Sequence, residues 1–209
     1  MVISGSSQNG KSYLIKKILE RRNEIITPAI EHIYYCYSEN EPDFFNELRR
    51  SVVDVELTFI RGIQPLLDEV ICPPGNRIPQ LIVLDDLQME ISDNMKRLER
   101  LFTNYVHHRN CSVIVSLQYF FKKNLRVLTL QAQYLVLFKS PRCSSYIMDI
   151  GMQLNARKKC LALEEAYKYI SKYKYSYVFI DLTQGQEDDF RIRSSIFPDE
   201  NLVIFLPEK

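Results

Sequence analysis

Gly5-Ser6-Ser7-Gln8-Asn9-Gly10-Lys11-Ser12 is the stretch of this chain with the clearest chemistry. It fits G-x-x-x-x-G-K-[ST], a spacing that curls the backbone around phosphate oxygens and meets them with several N–H groups at once. Gly5 and Gly10 permit backbone angles that a Cβ would forbid, and Asn9 is among the few other residues that tolerate the left-handed region. Such a loop opens a helix, whose N-terminus offers free N–H groups and a favourable dipole to an anion. All eight positions, Ser6, Ser7 and Gln8 included, are therefore expected to line a nucleotide. Lys11 is expected to reach the β- and γ-phosphates and the Ser12 hydroxyl to ligate Mg²⁺.

Two further sites fit the same chemistry. Leu81-Ile82-Val83-Leu84-Asp85-Asp86 is a run of aliphatics ending in two acids. A parallel strand buried on both faces reads this way, and ligands of such sheets sit beyond the carboxyl ends of the strands. Asp85 is expected to hold Mg²⁺, directly or through water, and Asp86 to polarise the attacking water. Gln118 ends a second aliphatic run, from Cys111. A carboxamide there can hold the attacking water or sense the γ-phosphate. The pair His107-His108 could suggest a metal, but adjacent residues do not share a helix face and no third ligand is near in the sequence, so they read as surface histidines.

The elements that must position these residues follow from periodicity. Met1-Val2-Ile3 is β-prone, and Leu14, Ile15, Ile18 and Leu19 recur at helical spacing, predicting a helix over 12–23. Lys16, Lys17, Arg21 and Arg22 near its C-terminus suit the helix dipole. Strands are expected at 32–37, 55–60, 81–86, 111–118 and 134–138, with helices at 42–50, 93–106, 144–152 and 157–172. Residues 64–70 read as a helical turn or two, and 72–80, with three prolines and a Gly, as loop. Residues 177–182 and 190–194 alternate on either side of a polar turn and read as a hairpin; 202–206 is a last apolar run. The predicted fold is α/β, a mostly parallel central sheet flanked by helices with a C-terminal β-hairpin extension. Residues 1–150 form the nucleotide-binding core of a single domain spanning 1–209, and 151–209 the extension. Only four residues precede Gly5, fewer than a typical strand, so the natural protein is expected to begin further upstream.

Composition narrows the class. The chain has 209 residues, 46% hydrophobic and 25% charged, with a net charge of +1. That balance is ordinary for a globular domain and gives no global basic field, so nucleic acid would be met by local patches. No apolar run approaches the ~20 residues of a membrane helix, and no signal segment opens the chain. Its five cysteines are scattered, without a C-x-x-C pair, which favours a reducing setting over disulfides or zinc. The absence of an Asn-Lys-x-Asp motif argues against a GTPase. A nucleotide kinase and an inactive remnant serving as an interaction module stand as alternatives.

The phosphate loop, Ile33-Tyr34-Tyr35-Cys36-Tyr37-Ser38 and Leu84-Asp85-Asp86-Leu87 carry a resemblance that continues through Leu101-Phe102-Thr103 and His107-His108-Arg109-Asn110-Cys111-Ser112-Val113-Ile114. It ends with Gln118 and Tyr134-Leu135-Val136-Leu137-Phe138-Lys139-Ser140-Pro141-Arg142. Over nearly its whole length the chain resembles the viral genome-packaging ATPases of the FtsK–HerA superfamily, above all those of polinton/Maverick- and adintovirus-type elements, related to the poxvirus type. The resemblance implies a RecA-like ASCE P-loop NTPase core with an extra strand between the P-loop and Walker B strands. It also implies ATP and Mg²⁺ as cofactors and a homo-oligomeric ring that drives double-stranded DNA into a capsid, with capsid or portal-like partners and no membrane. The implied setting is intracellular, in the cytoplasm or nucleus of an infected host, or in the virion. Asp86 stands where many ring ATPases carry Glu. Ring ATPases commonly use an arginine from a neighbouring subunit; Arg109, before a core strand, is a candidate to reach a neighbour's nucleotide, and Arg142, after one, is a candidate to act in cis or in trans. Lys122, Lys123 and Arg126, or Arg157, Lys158, Lys159, Lys168, Lys172 and Lys174, are the candidate contacts to the DNA backbone, through phosphate and without sequence preference.

Overall fold

Eight strands, most of them paired in parallel, alternate with helices in an α/β fold. The computed structural model describes residues 1–70, 78–102, 110–119, 126–140, 144–153 and 157–206. The chain divides into two compact units: one holds Met1–Lys11 and the chain from Ala132 onward, the other Ser12–Leu117.

In the Ser12–Leu117 unit, β2 (His32–Tyr37) pairs with both β3 (Glu56–Arg61) and β4 (Gln80–Asp85), and β4 pairs with β5 (Cys111–Leu117), all in parallel. Every residue of β4 is buried, as a continuous aliphatic run demands of a strand covered on both faces. Helix α1 (Lys11–Glu20) buries Leu14, Ile15, Ile18 and Leu19. It stops short of the predicted end, and a four-residue turn, α2 (Arg22–Ile25), comes next. Arg22, expected to suit the dipole at the C-terminus of this helix, does so from a buried position. Its guanidinium donates to the Leu19 carbonyl at 3.0 Å and to the Val53 carbonyl. These bonds satisfy acceptors that the helix end leaves open.

Helix α3 (Pro42–Ser51) turns Phe45 and Leu48 inward. Phe45 meets Tyr35 of β2 and Phe59 of β3, ring centroids 6.1 and 4.7 Å apart. Residues Leu66–Val70 form a π-type turn. A short helix not expected from the sequence, α4 (Gln88–Asp93), ends at Asn94, and the helix expected over 93–106 opens at Met95 as α5 (Met95–Arg100), with 103–106 outside the described residues. The Asn94 side chain donates to the Glu90 carbonyl at 3.0 Å, a local bond that competes with helix continuation. Leu98, Leu101 and Phe102 are buried as their spacing predicts.

In the other unit, β1 (Val2–Ser4) runs parallel to β6 (Tyr134–Phe138), with Ile3 opposite Val136. β7 (Tyr177–Asp181) lies antiparallel to β6, and β8 (Ile192–Arg193) antiparallel to β7, giving the predicted hairpin. The 202–206 run adds only a bridge between Ile204 and Arg193. Helices α7 (Ser144–Gln153) and α8 (Arg157–Ile170) fall where predicted; α6 (Arg126–Gln131), which belongs with the Ser12–Leu117 unit, precedes β6 in the sequence. Among the described residues no helix is long and apolar enough to cross a membrane.

Candidate functional site

The phosphate loop is built by the unit that contains β1. Gly5 comes directly after β1, and the side chain of Lys11 turns back over the loop. Its Nζ donates to the carbonyls of Gly5 at 2.8 Å and Ser6 at 2.9 Å. Lys11 is buried, so its charge is held within the curve of the loop. The positive backbone angles fall on Gln8 (φ 63°) and Gly10 (φ 93°); Asn9, expected to take the left-handed conformation, does not. Asn9 works through its side chain instead, whose amide nitrogen donates to the Lys139 carbonyl and lies 3.5 Å from Ser6 Oγ. Gly5 is required by close approach rather than by angle, because a Cβ there would lie 2.6 Å from Phe138 Cβ. Ser7 and Gln8 are exposed, as is Ser12, the second residue of α1.

Phe138-Lys139-Ser140, at the end of β6, thus braces the loop from behind. This segment is itself tied to α8 and to the turn beyond it. Lys139 Nζ donates to the Ser171 carbonyl at 2.9 Å, and Tyr167 Oη accepts from Ser140 N at 2.6 Å. The ring of Tyr175 closes the arrangement: a Cβ on Gly10 would lie 3.1 Å from Tyr175 Cδ1.

In the Ser12–Leu117 unit, Asp85 ends β4 and is buried. Tyr35 Oη, from the adjacent strand β2, donates to Asp85 Oδ2 at 2.7 Å. Burial, reinforced by the Asp85 charge and this hydrogen bond, pushes the Tyr35 phenol well above its usual range, so it stays protonated and keeps donating. Asp85 Oδ1 is equally buried and has no hydrogen-bond partner among the described residues. A buried carboxylate oxygen without a partner is costly and fits a cation or a cation's water. Mg²⁺ is commonly held by one or two carboxylates with phosphates and waters making up the rest. No cluster of three or more His, Cys, Asp or Glu suited to a metal occurs among the described residues. Asp86 is exposed with φ 53°, a conformation Asp tolerates better than most residues. Gln118 comes directly after β5 and is half-buried.

Arg109 and Arg142 lie outside the described residues, as do His107, His108, Lys122, Lys123 and the side chains of Arg126, Arg157, Lys158 and Lys159. Lys168 pairs with Glu164 at 2.7 Å along α8, while Lys172 and Lys174 are exposed. Sequence reasoning missed Tyr35 as the partner of Asp85, and Phe138 and Tyr175 as neighbours of the phosphate loop. For Tyr35 a signal existed: a phenol in the middle of an apolar strand must find a hydrogen-bond partner.

No protein-family model and no curated protein matches the chain. Solved structures do. The cytoplasmic domain of the Thermomonospora curvata type VII secretion ATPase EccC matches with a TM-score of 0.55 at 13% identity, over 99% of this chain and 25% of that one. The pCW3 conjugation coupling protein TcpA, a monomer form with ATPγS, matches with a TM-score of 0.52 at 10% identity, over 99% of this chain and 59% of that one. The chain therefore spans between a quarter and about three fifths of these neighbours. What is shared is the fold, that of RecA-like P-loop ATPase domains.

Proposed function

We propose that the chain is a magnesium-dependent ATPase of the FtsK–HerA type that moves double-stranded DNA as a ring, packaging a viral or virus-like genome into a capsid. The observation that carries the reading is the G-x-x-x-x-G-K-S loop, folded between a buried strand and a helix with Lys11 drawn onto the carbonyls of Gly5 and Ser6. A loop of this shape suits a triphosphate. In this reading the loop, Gly5 to Ser12, binds the phosphates, and Ser12 and Asp85 hold Mg²⁺, which would neutralise charge building on the transferring phosphoryl group. Asp86 polarises the attacking water and Gln118 positions it; Arg109 or Arg142 meets the charge of the transition state.

The DNA-moving part draws support from the packaging-type motifs and from the fold shared with a conjugation coupling protein. A nucleotide kinase would use the same loop but pass the phosphoryl group to a small acceptor. Turnover of ATP with and without double-stranded DNA, for the wild type and Lys11→Ala, tests the proposal. We expect DNA to raise turnover several-fold and Lys11→Ala to bring it to background. Turnover indifferent to DNA would remove the motor reading; turnover indifferent to Lys11→Ala would remove the site.

A further inference from the structure

Lys172-Tyr173-Lys174-Tyr175 reads in sequence as a basic, aromatic stretch suited to DNA, yet its last residue, Tyr175, lies against the phosphate loop. The stretch belongs to the turn between α8 and β7, anchored through Ser171 to Lys139, the same residue whose carbonyl accepts from Asn9 of the loop. At the end of this turn Tyr175 lays its ring on Gly10 and is 67% exposed. Its backbone is left-handed, with φ 61°, a conformation unfavourable for a bulky residue. Such outliers collect at ligand clamps, where the surrounding structure holds them in place. A solvent-facing aromatic ring held that way beside a phosphate loop offers a π-face where the loop offers only N–H groups and an ammonium.

A nucleoside triphosphate has one part that matches each: the phosphates need N–H groups and cations, and the base needs a flat apolar surface. We propose that Tyr175 is the stacking platform for the nucleobase of the triphosphate bound at the loop, and that Lys172 and Lys174 flank that base rather than a DNA strand. The inference rests on the nucleotide-binding reading above and names the residue that recognises the base. Stacking on an aromatic ring tolerates any base, so Tyr175 adds affinity for nucleosides as a class.

The test separates base from phosphate. Calorimetric affinities for ATP and for inorganic tripolyphosphate are measured for the wild type, Tyr175→Ala and Tyr175→Phe, with thermal melts as a check of folding. Tyr175→Ala should weaken ATP by about fivefold to a hundredfold, leave tripolyphosphate unchanged, and be rescued by Tyr175→Phe. The chain contains no tryptophan, so Tyr175→Trp gives a single tryptophan, whose emission ATP should quench and tripolyphosphate should not. Equal weakening of both ligands would make Tyr175 a brace of the loop and overturn the proposal. Unchanged ATP affinity would also overturn it, as would weakened binding of double-stranded DNA without nucleotide while ATP affinity holds. A wild type that binds neither ATP nor tripolyphosphate would fail the site itself, and with it both readings.

Discussion

Tyr35 and Asp85 make the sharpest case at the scale of single residues. The phenol fixes one carboxylate oxygen at 2.7 Å, and the other is buried without a partner among the described residues. Replacing Tyr35 by Phe removes one oxygen atom and leaves Asp85 Oδ2 in the same position as Oδ1. Leaving a buried polar group unsatisfied costs about 1–3 kcal/mol, and a carboxylate released from its hydrogen bond is free to rotate away from the pose that a cation would meet. Tyr35→Phe should therefore lower the free energy of unfolding in urea by that amount and weaken Mn²⁺ binding, monitored by electron paramagnetic resonance in the presence of ATP. Lost stability with unaltered Mn²⁺ affinity would reduce Tyr35 to a structural residue. Gly5 makes a steric case. Its neighbour is Phe138 Cβ, 2.6 Å from where a Cβ would stand, and a Cβ cannot swing aside by changing rotamer. Gly5→Ala should cost about 1–3 kcal/mol, the range for overpacking, and be read in the same urea melts. An Ala variant as stable as the wild type would mean that β1 and β6 slide apart freely.

At the scale of elements, β2 and β3 carry a pH-sensitive contact. His32 opens β2; its Nε2 lies 3.0 Å from Thr58 Oγ1 and its Nδ1 3.3 Å from Glu56 Oε2, both on β3. Burial lowers the His32 pKa below 6.5, and the Glu56 charge opposes that with a smaller effect. The folded chain therefore takes up this proton less readily than the unfolded one. The contribution is intact at neutral pH and is lost as pH falls through the unfolded value near 6.5 toward the lower folded one. The urea midpoint of His32→Gln should accordingly fall less steeply than that of the wild type between pH 7 and pH 5. A steeper fall would mean that the ion pair with Glu56 outweighs burial. Elements such as β2 were legible in the sequence because buried parallel strands write themselves as aliphatic and aromatic runs, and α7 and α8 because their spacing is regular. Helix α4 and its end at Asn94 were not legible, since the helical spacing of Met95, Leu98, Leu101 and Phe102 begins only after Asn94, and periodicity cannot register a side-chain-to-backbone bond such as Asn94 to Glu90. Within the site, the loop and Asp85 could be read from motifs. Phe138 and Tyr175 could not be assigned their roles, because they reach Gly5 and Gly10 from the far end of the chain through contacts that no local pattern encodes.

For the whole molecule, the proposed ring turns on which arginine crosses between subunits, and the strands around β4 give the two candidates different geometries. Asn110, the residue after Arg109, accepts a hydrogen bond through its carbonyl from Gln80 N at 3.0 Å. It therefore sits at the start of β4, whereas Asp85 sits at its end, roughly 16 Å away at about 3.3 Å per residue. Asn110 is thus far from the Asp85 end of its own subunit, which makes Arg109, the residue before it in the sequence, the candidate to act in trans. Lys139 and Ser140 brace the phosphate loop of their own subunit, and Arg142 follows Ser140 by two positions in the sequence, which makes it the candidate to act in cis. Loss of a finger arginine costs about 10³-fold or more in turnover, so Arg109→Ala and Arg142→Ala alone should both be nearly inactive. Mixing separates them. In a ring assembled from Arg109→Ala and Lys11→Ala subunits, some sites combine an intact loop from one with an intact Arg109 from the other, and ATP turnover should recover. A mixture of Arg142→Ala with Lys11→Ala should stay inactive, since no site then holds both a working loop and its own arginine. Recovery in the second mixture alone would exchange the two assignments, and recovery in neither would leave both arginines acting within the subunit that binds the nucleotide.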